Sequence, residues 1–156
     1  MKSRKIKGEA VTILLVEDNL DHAEMVKRCF EDHQLTNKMY HVTDGEPALD
    51  YLYRRSDYGE PEKSPRPHVI LLDLRLPKID GLEVLKKIKN SDNLVKIPVV
   101  ILTTSEAEQD VAKAYNEHAN SYLVKPVDFA KFTQLMNDLD YYWLAWNHFP
   151  WPKGVS

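Results

Sequence analysis

The stretch His68-Val-Ile-Leu-Leu-Asp-Leu-Arg-Leu-Pro-Lys-Ile-Asp-Gly81 decides the fold that this sequence predicts. Residues 69–72 form a short apolar run between Pro67 and Pro77, which is typical of a strand buried on both faces of a parallel sheet. Asp73 follows the run directly. Because open α/β sheets bind ligands at the carboxyl ends of their strands, Asp73 stands where a functional carboxylate is expected. The alternative to a functional role, for one isolated Asp, is that Asp73 only caps the following turn.

A second strand of the same buried type ends in two more carboxylates. Residues 13–16 are followed by Glu17 and Asp18. If this strand neighbours the one before Asp73, three carboxylates meet at one edge of the sheet, and their repulsion favours a bound hard cation. Mg²⁺ prefers one or two carboxylates together with waters and a phosphate oxygen. The alternative is that Asp18 or Asn19 only caps the next helix.

Two further strands end in polar groups of other kinds. Residues 98–102 lead into Thr103, and residues 122–124 lead into Lys125. Singly, each of these side chains has a structural explanation, such as a helix cap or a surface charge. Together with the acids, a hydroxyl and an ammonium group form a set that could hold Mg²⁺ and a phosphoryl group.

Apolar residues at helical spacing predict helices between these strands, and residues 39–42 predict a short edge strand. Strands that alternate with helices are typical of a parallel α/β sheet. The predicted helices are residues 20–33, a segment that begins at Asp44-Gly45, residues 82–90, residues 106–118 with Tyr115 turned inward, and a segment from Asp128 onward.

Over residues 11–140 the sequence resembles the receiver domains of two-component response regulators. The order and spacing of the family's motif residues agree: Glu17-Asp18, Asp73, Leu76-Pro77, Asp80-Gly81, Thr103, Tyr122 and Lys125-Pro126. The resemblance implies an α/β fold of the flavodoxin-like, doubly wound type. Its five-stranded parallel sheet would have the strand order 2-1-3-4-5, with helices on both faces.

The resemblance also implies a role for each site residue. Asp73 would be the phosphoacceptor, and Asp18 and Asp73 would bind Mg²⁺ directly. Glu17 would act on the metal through water, and the backbone carbonyl of Arg75 would be a further ligand. Lys125 would pair with the oxygens of the phosphoryl group. In the conformational change after phosphorylation, Thr103 would move toward the phosphoryl group and Tyr122 would change rotamer.

The predicted function is a phosphoacceptor that takes a phosphoryl group from a sensor histidine kinase and then changes a protein-interaction surface. Such a chain catalyses only its own phosphorylation and dephosphorylation, so it is not expected to be an enzyme with a separate substrate. Receivers often carry a smaller polar group where Arg75 stands, so Arg75 could alter dephosphorylation by screening the acyl phosphate or pairing with Glu17. Two alternatives remain: a receiver-fold interaction module without phosphorylation, and a Mg²⁺-dependent aspartyl phosphatase, which usually has an acid at this position and needs a cap domain.

Length and composition predict one domain and no nucleic-acid partner. The 156 residues, 43% of them hydrophobic, suffice for one core. We expect a flexible N-terminus over residues 1–10, a receiver domain over residues 11–140 and an aromatic extension over residues 141–156, with no DNA-binding output domain. The net charge of −3 provides no basic surface for nucleic acid. A single cysteine and the lack of a long apolar run predict a cytoplasmic protein with no membrane association.

Two segments depart from a minimal receiver. Residues 53–67 are rich in Pro and charge, which predicts a surface loop. The loop is either a passive insertion or a feature shared with single-domain regulators of bacteriophytochrome-type histidine kinases, which it resembles. The aromatic residues after position 140 predict a homodimer through the fourth or fifth helices, or a kinase-docking surface. The alternative is that they fold back on their own domain.

Overall fold

The computed structural model describes residues 11–32, 37–103, 113, 115–119, 121–124 and 134. Its five strands form a single parallel sheet in the order β2-β1-β3-β4-β5, which confirms the predicted fold. The strands are β1 Val11–Val16, β2 Asn37–Val42, β3 Val69–Leu72, β4 Val99–Thr103 and β5 Ser121–Val124.

The register of the sheet brings the ends of the central strands to one level. Val16, the last residue of β1, pairs with Leu72, the last residue of β3, and with Val42, the last residue of β2. On the other side of β3, Leu72 pairs with Ile101. The residues that follow β1 and β3 therefore leave the sheet side by side at its carboxyl edge.

Three longer helices lie within the described residues: α1 Leu20–Asp32, α2 Gly45–Tyr53 and α3 Gly81–Lys89. They agree with the predicted segments to within a residue at most ends. Asn19 caps α1, because its Oδ1 accepts a hydrogen bond from the His22 amide at 3.1 Å. Among the described residues, none of the helices combines the length and the apolar character needed to cross a membrane.

The core lies on both faces of the sheet. Ile13, Leu71 and Val100 are buried on one face, and Ala23 and Val26 of α1 are buried as well. The alternate strand residues pack with α2 and α3 on the other face, since successive side chains of a strand point to opposite sides. That cluster contains Leu14, Val16, Ile70, Leu72, Val99, Ile101, Ala48, Leu49, Tyr51, Leu52, Val84, Leu85 and Ile88.

The segment before β5 differs from its prediction in one respect. Tyr115 was predicted to turn inward, and this is wrong, because 49% of the residue is exposed. The helical turn that carries it ends at His118, whose φ of 70° lies in the left-handed region. Ala119 then contacts the core instead. Most of the remaining predicted fourth helix, and the helix predicted from Asp128, fall outside the described residues.

The loop over residues 53–67 is on the surface, as predicted, but its two ends are fixed by buried side chains. Ser64 is fully buried, and its carbonyl oxygen accepts hydrogen bonds from the guanidinium groups of Arg54 and Arg66, at 3.1 and 3.3 Å. The hydroxyl of the buried Tyr51 donates to the Pro65 carbonyl at 2.7 Å. The loop is therefore an ordered connection between α2 and β3.

His68, just before β3, should make the stability of the protein depend on pH. Its Nδ1 accepts a hydrogen bond from the Thr12 amide at 2.9 Å, and burial lowers its pKa from 6.5 to about 4. Because the folded chain favours the neutral ring, this contribution is complete above pH 6.5 and is lost as the pH falls toward 4, at up to about 1.4 kcal/mol per pH unit.

The measurement is urea unfolding between pH 7 and 4 for the native protein and for His68→Asn, whose amide oxygen can still accept from Thr12. The native protein should lose more stability over this range than the variant. Parallel pH profiles for the two proteins would contradict the prediction.

Candidate functional site

Three carboxylates meet at the carboxyl edge of the sheet. Glu17 and Asp18 follow β1, Asp73 follows β3, and one carboxylate oxygen of each lies within 4.8 Å of those of the other two. Glu17 and Asp73 are only 1% and 6% exposed, whereas Asp18 is exposed to solvent. The predicted convergence of the two strand ends is therefore present in the structure.

Backbone hydrogen bonds fix the direction of both buried carboxylates. The Asp73 amide donates to the Val16 carbonyl at 3.0 Å, which extends the pairing of β1 and β3 by one residue. Asp73 Oδ1 then accepts from the amide of Arg75 at 2.9 Å. In the same way, Glu17 Oε2 accepts from the Asn19 amide at 3.1 Å. Each carboxylate is thus oriented by the loop that follows its own strand.

Two histidines flank Glu17, and nothing in the sequence indicated them. His41, in β2, places Nε2 2.7 Å from the carbonyl oxygen of Glu17. Since a carbonyl can only accept, Nε2 carries the proton. His22 Nδ1 lies 4.0 Å from Glu17 Oε2. His41 is next to the acidic pair only through the pairing of β1 with β2, so no sequence motif connects them.

The donor set suits a hard divalent cation. The converging groups are carboxylate oxygens, the ligand type that Mg²⁺ and Mn²⁺ take in proteins. Two of the three carboxylates are buried, where their mutual repulsion is not screened by water, and a cation between them offsets that repulsion. The role of the Arg75 carbonyl as a ligand stays a prediction, because the contact that the structure describes is made by the Arg75 amide.

Asp44, between β2 and α2, also reaches this region. It is 8% exposed, caps α2 through a hydrogen bond from the Gly45 amide to Oδ1 at 2.6 Å, and accepts from the amides of Lys78 and Ile79. The sequence predicted only that a helix begins at Asp44-Gly45. The contact with residues 78 and 79 spans more than thirty positions in the sequence and could be seen only in the folded chain.

The other predicted site residues are described in part or not at all. Thr103 is the last residue of β4 and pairs with Val124, whereas Tyr122 lies within β5 and pairs with Ile101. The side chains of Thr103 and Tyr122 and the whole of Lys125 lie outside the described part of the chain. Their roles stay predictions, as does that of the aromatic segment after residue 140.

Comparison with known proteins assigns the chain to a protein family. The model of the response regulator receiver domain matches residues 13–137. The chain is 46% identical over 140 residues to the probable methanogenesis regulatory protein FilR2 of Methanothrix harundinacea, covering 90% of this chain and 88% of that protein. It is 39% identical over 132 residues to the response regulator Rcp1 of Synechocystis, covering 85% and 88% of the two chains.

Solved structures show the same fold. The Mn²⁺-bound form of Rcp1 matches with a TM-score of 0.70 and 38% identity, over 94% of this chain and 97% of that chain. The phosphorylated cyanobacterial phytochrome response regulator RcpA matches with a TM-score of 0.75 and 35% identity, over 87% and 95% of the two chains. The predicted resemblance to phytochrome-linked regulators is confirmed. The carboxylate cluster, the strand order and these matches agree, and the chain belongs to the family of response regulator receiver domains of two-component systems.

Proposed function

We propose that this chain is a phosphoacceptor response regulator, in which Asp73 takes a phosphoryl group from a phosphohistidine of a sensor kinase. The observation that carries the proposal is the position of Asp73. Its carboxylate is buried at the end of the central strand β3, oriented by the Arg75 amide, and adjacent to two further carboxylates. A stabilising hydrogen bond to one oxygen and fixed neighbours are what a positioned nucleophile requires.

The reaction forms one bond and breaks one. A carboxylate oxygen of Asp73 attacks phosphorus, the bond from phosphorus to the histidine nitrogen breaks, and the electron pair leaves with the imidazole, which takes up a proton. The product is an acyl phosphate on Asp73. Hydrogen bonding from the Arg75 amide to Oδ1 keeps the carboxylate in place during the attack. The Lys125 ammonium, by resemblance, would pair with the phosphoryl oxygens.

The metal proposed for the site is Mg²⁺, held directly by Asp18 and Asp73 and through water by Glu17. Its support is the carboxylate cluster, together with the Mn²⁺ in the structure of Rcp1. When bound, the ion neutralises charge on the phosphoryl oxygens. The exposed position of Asp18 gives the cation a route from solvent, while burial of Glu17 and Asp73 fixes the inner ligands.

The output proposed for the phosphorylated form is a changed protein-interaction surface, with Thr103 and Tyr122 as the residues that move. The partner is a sensor histidine kinase. A phytochrome-type kinase is favoured by the likeness to RcpA, although the name of FilR2 links that relative to methanogenesis. A homodimer is the second proposed assembly.

The test is intact-mass analysis of the native protein after incubation with acetyl phosphate, with Mg²⁺ or with excess EDTA. We expect one phosphoryl adduct that needs Mg²⁺ and disappears with neutral hydroxylamine, which cleaves acyl phosphates. Gel filtration of the same samples tests whether the adduct changes assembly. No adduct with Mg²⁺ would favour the interaction module without phosphorylation.

Arg75 is proposed to set the lifetime of the acyl phosphate. The residue is exposed and lies two positions after Asp73, so its guanidinium can reach the outer side of the phosphoryl group. If it screens the phosphate from water, Arg75→Ala should lose the phosphoryl group several-fold faster. The decay of the adduct after removal of acetyl phosphate measures this rate. Lys78→Ala, in the same loop and also exposed, is the control for loss of positive charge. Equal lifetimes for native protein and Arg75→Ala would exclude the role.

A further inference from the structure

We infer that Asp44 is a positioning residue for the phosphorylation site, because its carboxylate ties the loop after Asp73 to the start of α2. The inference rests on the proposed function and extends it to a residue outside the set that the sequence predicts. The loop in question runs from Leu74 to Asp80 and is called the acceptor loop below.

The hydrogen bonds of Asp44 reach two separate segments. Oδ1 accepts from the Gly45 amide at 2.6 Å and from the Ile79 amide at 3.2 Å, while the Lys78 amide lies 3.2 Å from Oδ1 and 3.1 Å from Oδ2. One buried carboxylate thus accepts from three backbone amides, two of them in the acceptor loop. Hydrogen bonds to an ionised group are stronger than neutral ones, so this contact holds the loop firmly.

Helix capping alone does not explain these contacts. A cap needs one short polar side chain that accepts from the first turn of its helix, and Ser serves about as well as Asp. The second oxygen of Asp44 points to the Lys78 amide instead. Without the carboxylate, the amides of Lys78 and Ile79 lose these acceptors.

Packing presses the same part of the loop against α2. A Cβ at Gly45 would lie 2.7 Å from both the Cβ and the carbonyl oxygen of Ile79, so the backbone of α2 and the loop are in direct contact. The two ends of the acceptor loop are joined by a hydrogen bond from the Gly81 amide to the Leu74 carbonyl at 2.9 Å. Asp44 therefore fixes residues 78 and 79 of a loop whose two ends are already held together.

Arg75 lies inside this fixed loop, and its amide orients the Asp73 carboxylate. Its carbonyl is the ligand expected from the family resemblance. A loop released at Lys78 and Ile79 would let residue 75 move, and a metal site whose supporting groups move binds its ion less tightly. Removal of such outer supports elsewhere weakens metal binding about 10- to 100-fold.

The variants are Asp44→Ser, Asp44→Asn and a control. Serine still caps α2 but is too short to reach the acceptor loop, so it separates the two roles of Asp44. Asparagine keeps one acceptor oxygen and should give a smaller effect. Asp50→Asn removes the same charge from the same helix, where Asp50 pairs with Arg55 rather than with the loop.

The first measurement is hydrogen exchange of the metal-free proteins. In Asp44→Ser, the amides of Lys78 and Ile79 should exchange about tenfold faster, while amides in the middle of α2 exchange as in the native protein. The second is the affinity for Mn²⁺, from the paramagnetic resonance signal of free Mn²⁺, at a temperature where circular dichroism shows every variant folded. Asp44→Ser should bind Mn²⁺ about tenfold more weakly, and Asp50→Asn as tightly as native.

The outcomes separate this inference from the proposed function. Native protein that binds no Mn²⁺ would overturn the proposed metal site, and the positioning role with it. Native binding combined with unchanged exchange at Lys78 and Ile79, or with unchanged Mn²⁺ affinity in Asp44→Ser, would overturn the positioning role alone.

Discussion

Gly81→Ala is expected to lower the free energy of unfolding by about 1–3 kcal/mol, as found when atoms are forced into a packed interior. A Cβ at this position would overlap the carbonyl oxygen of Asp73 and lie 2.5 Å from the Cα of Leu74. Both neighbours are backbone atoms at the end of a buried strand, so they cannot move aside like a flexible side chain. The strain therefore falls on the backbone of Asp73 and Leu74.

The sign of this change in stability is informative. Within helices Ala is favoured over Gly by about 1 kcal/mol, so helix propensity alone would make Gly81→Ala more stable, not less. Gly59→Ala is the matched control, since Gly59 has an ordinary helical φ of −66° and the nearest atom to an added Cβ is 3.9 Å away. That variant should be as stable as the native protein or slightly more stable. The measurement is urea unfolding of all three proteins. A Gly81→Ala protein as stable as Gly59→Ala would show that α3 does not press on the Asp73 backbone.

Much of the fold could be predicted because each buried strand can be recognised from its own short stretch of sequence. A parallel strand buried on both faces must be apolar along its length, and the runs before Glu17, Asp73 and Thr103 are of this kind. A polar residue directly after such a run marks the edge of the sheet where ligands bind. The acidic cluster therefore followed from the sequence once β1 and β3 were taken as neighbours.

The supporting contacts could not be predicted, because they join residues that are distant in the sequence. His41 meets the Glu17 carbonyl only through the register of β1 and β2, and Asp44 meets Lys78 only after two strands and a helix have packed. Tyr115 shows a different limit. Helical spacing places a residue on a face, but only the packing of the helix decides whether that face meets the core, and Tyr115 is exposed.

Asp73→Asn is expected to abolish phosphorylation completely while keeping the fold. The amide oxygen of Asn can still accept from the Arg75 amide, so the loop should stay in place. A neutral amide is, however, a poor nucleophile and a weaker ligand for a cation than a carboxylate. Glu17 and Asp18 remain in this variant, which makes it a control for phosphorylation at the neighbouring acids.

Whether Asp73 carries the phosphoryl group is tested most directly by peptide mapping after phosphorylation. Native protein and Asp73→Asn are treated with acetyl phosphate and Mg²⁺, the acyl phosphate is reduced with borohydride to leave a stable mark, and the peptides are sequenced by mass spectrometry. We expect a mark on Asp73 in the native protein and no mark anywhere in the variant. A mark on another residue, or equal marking of both proteins, would contradict it.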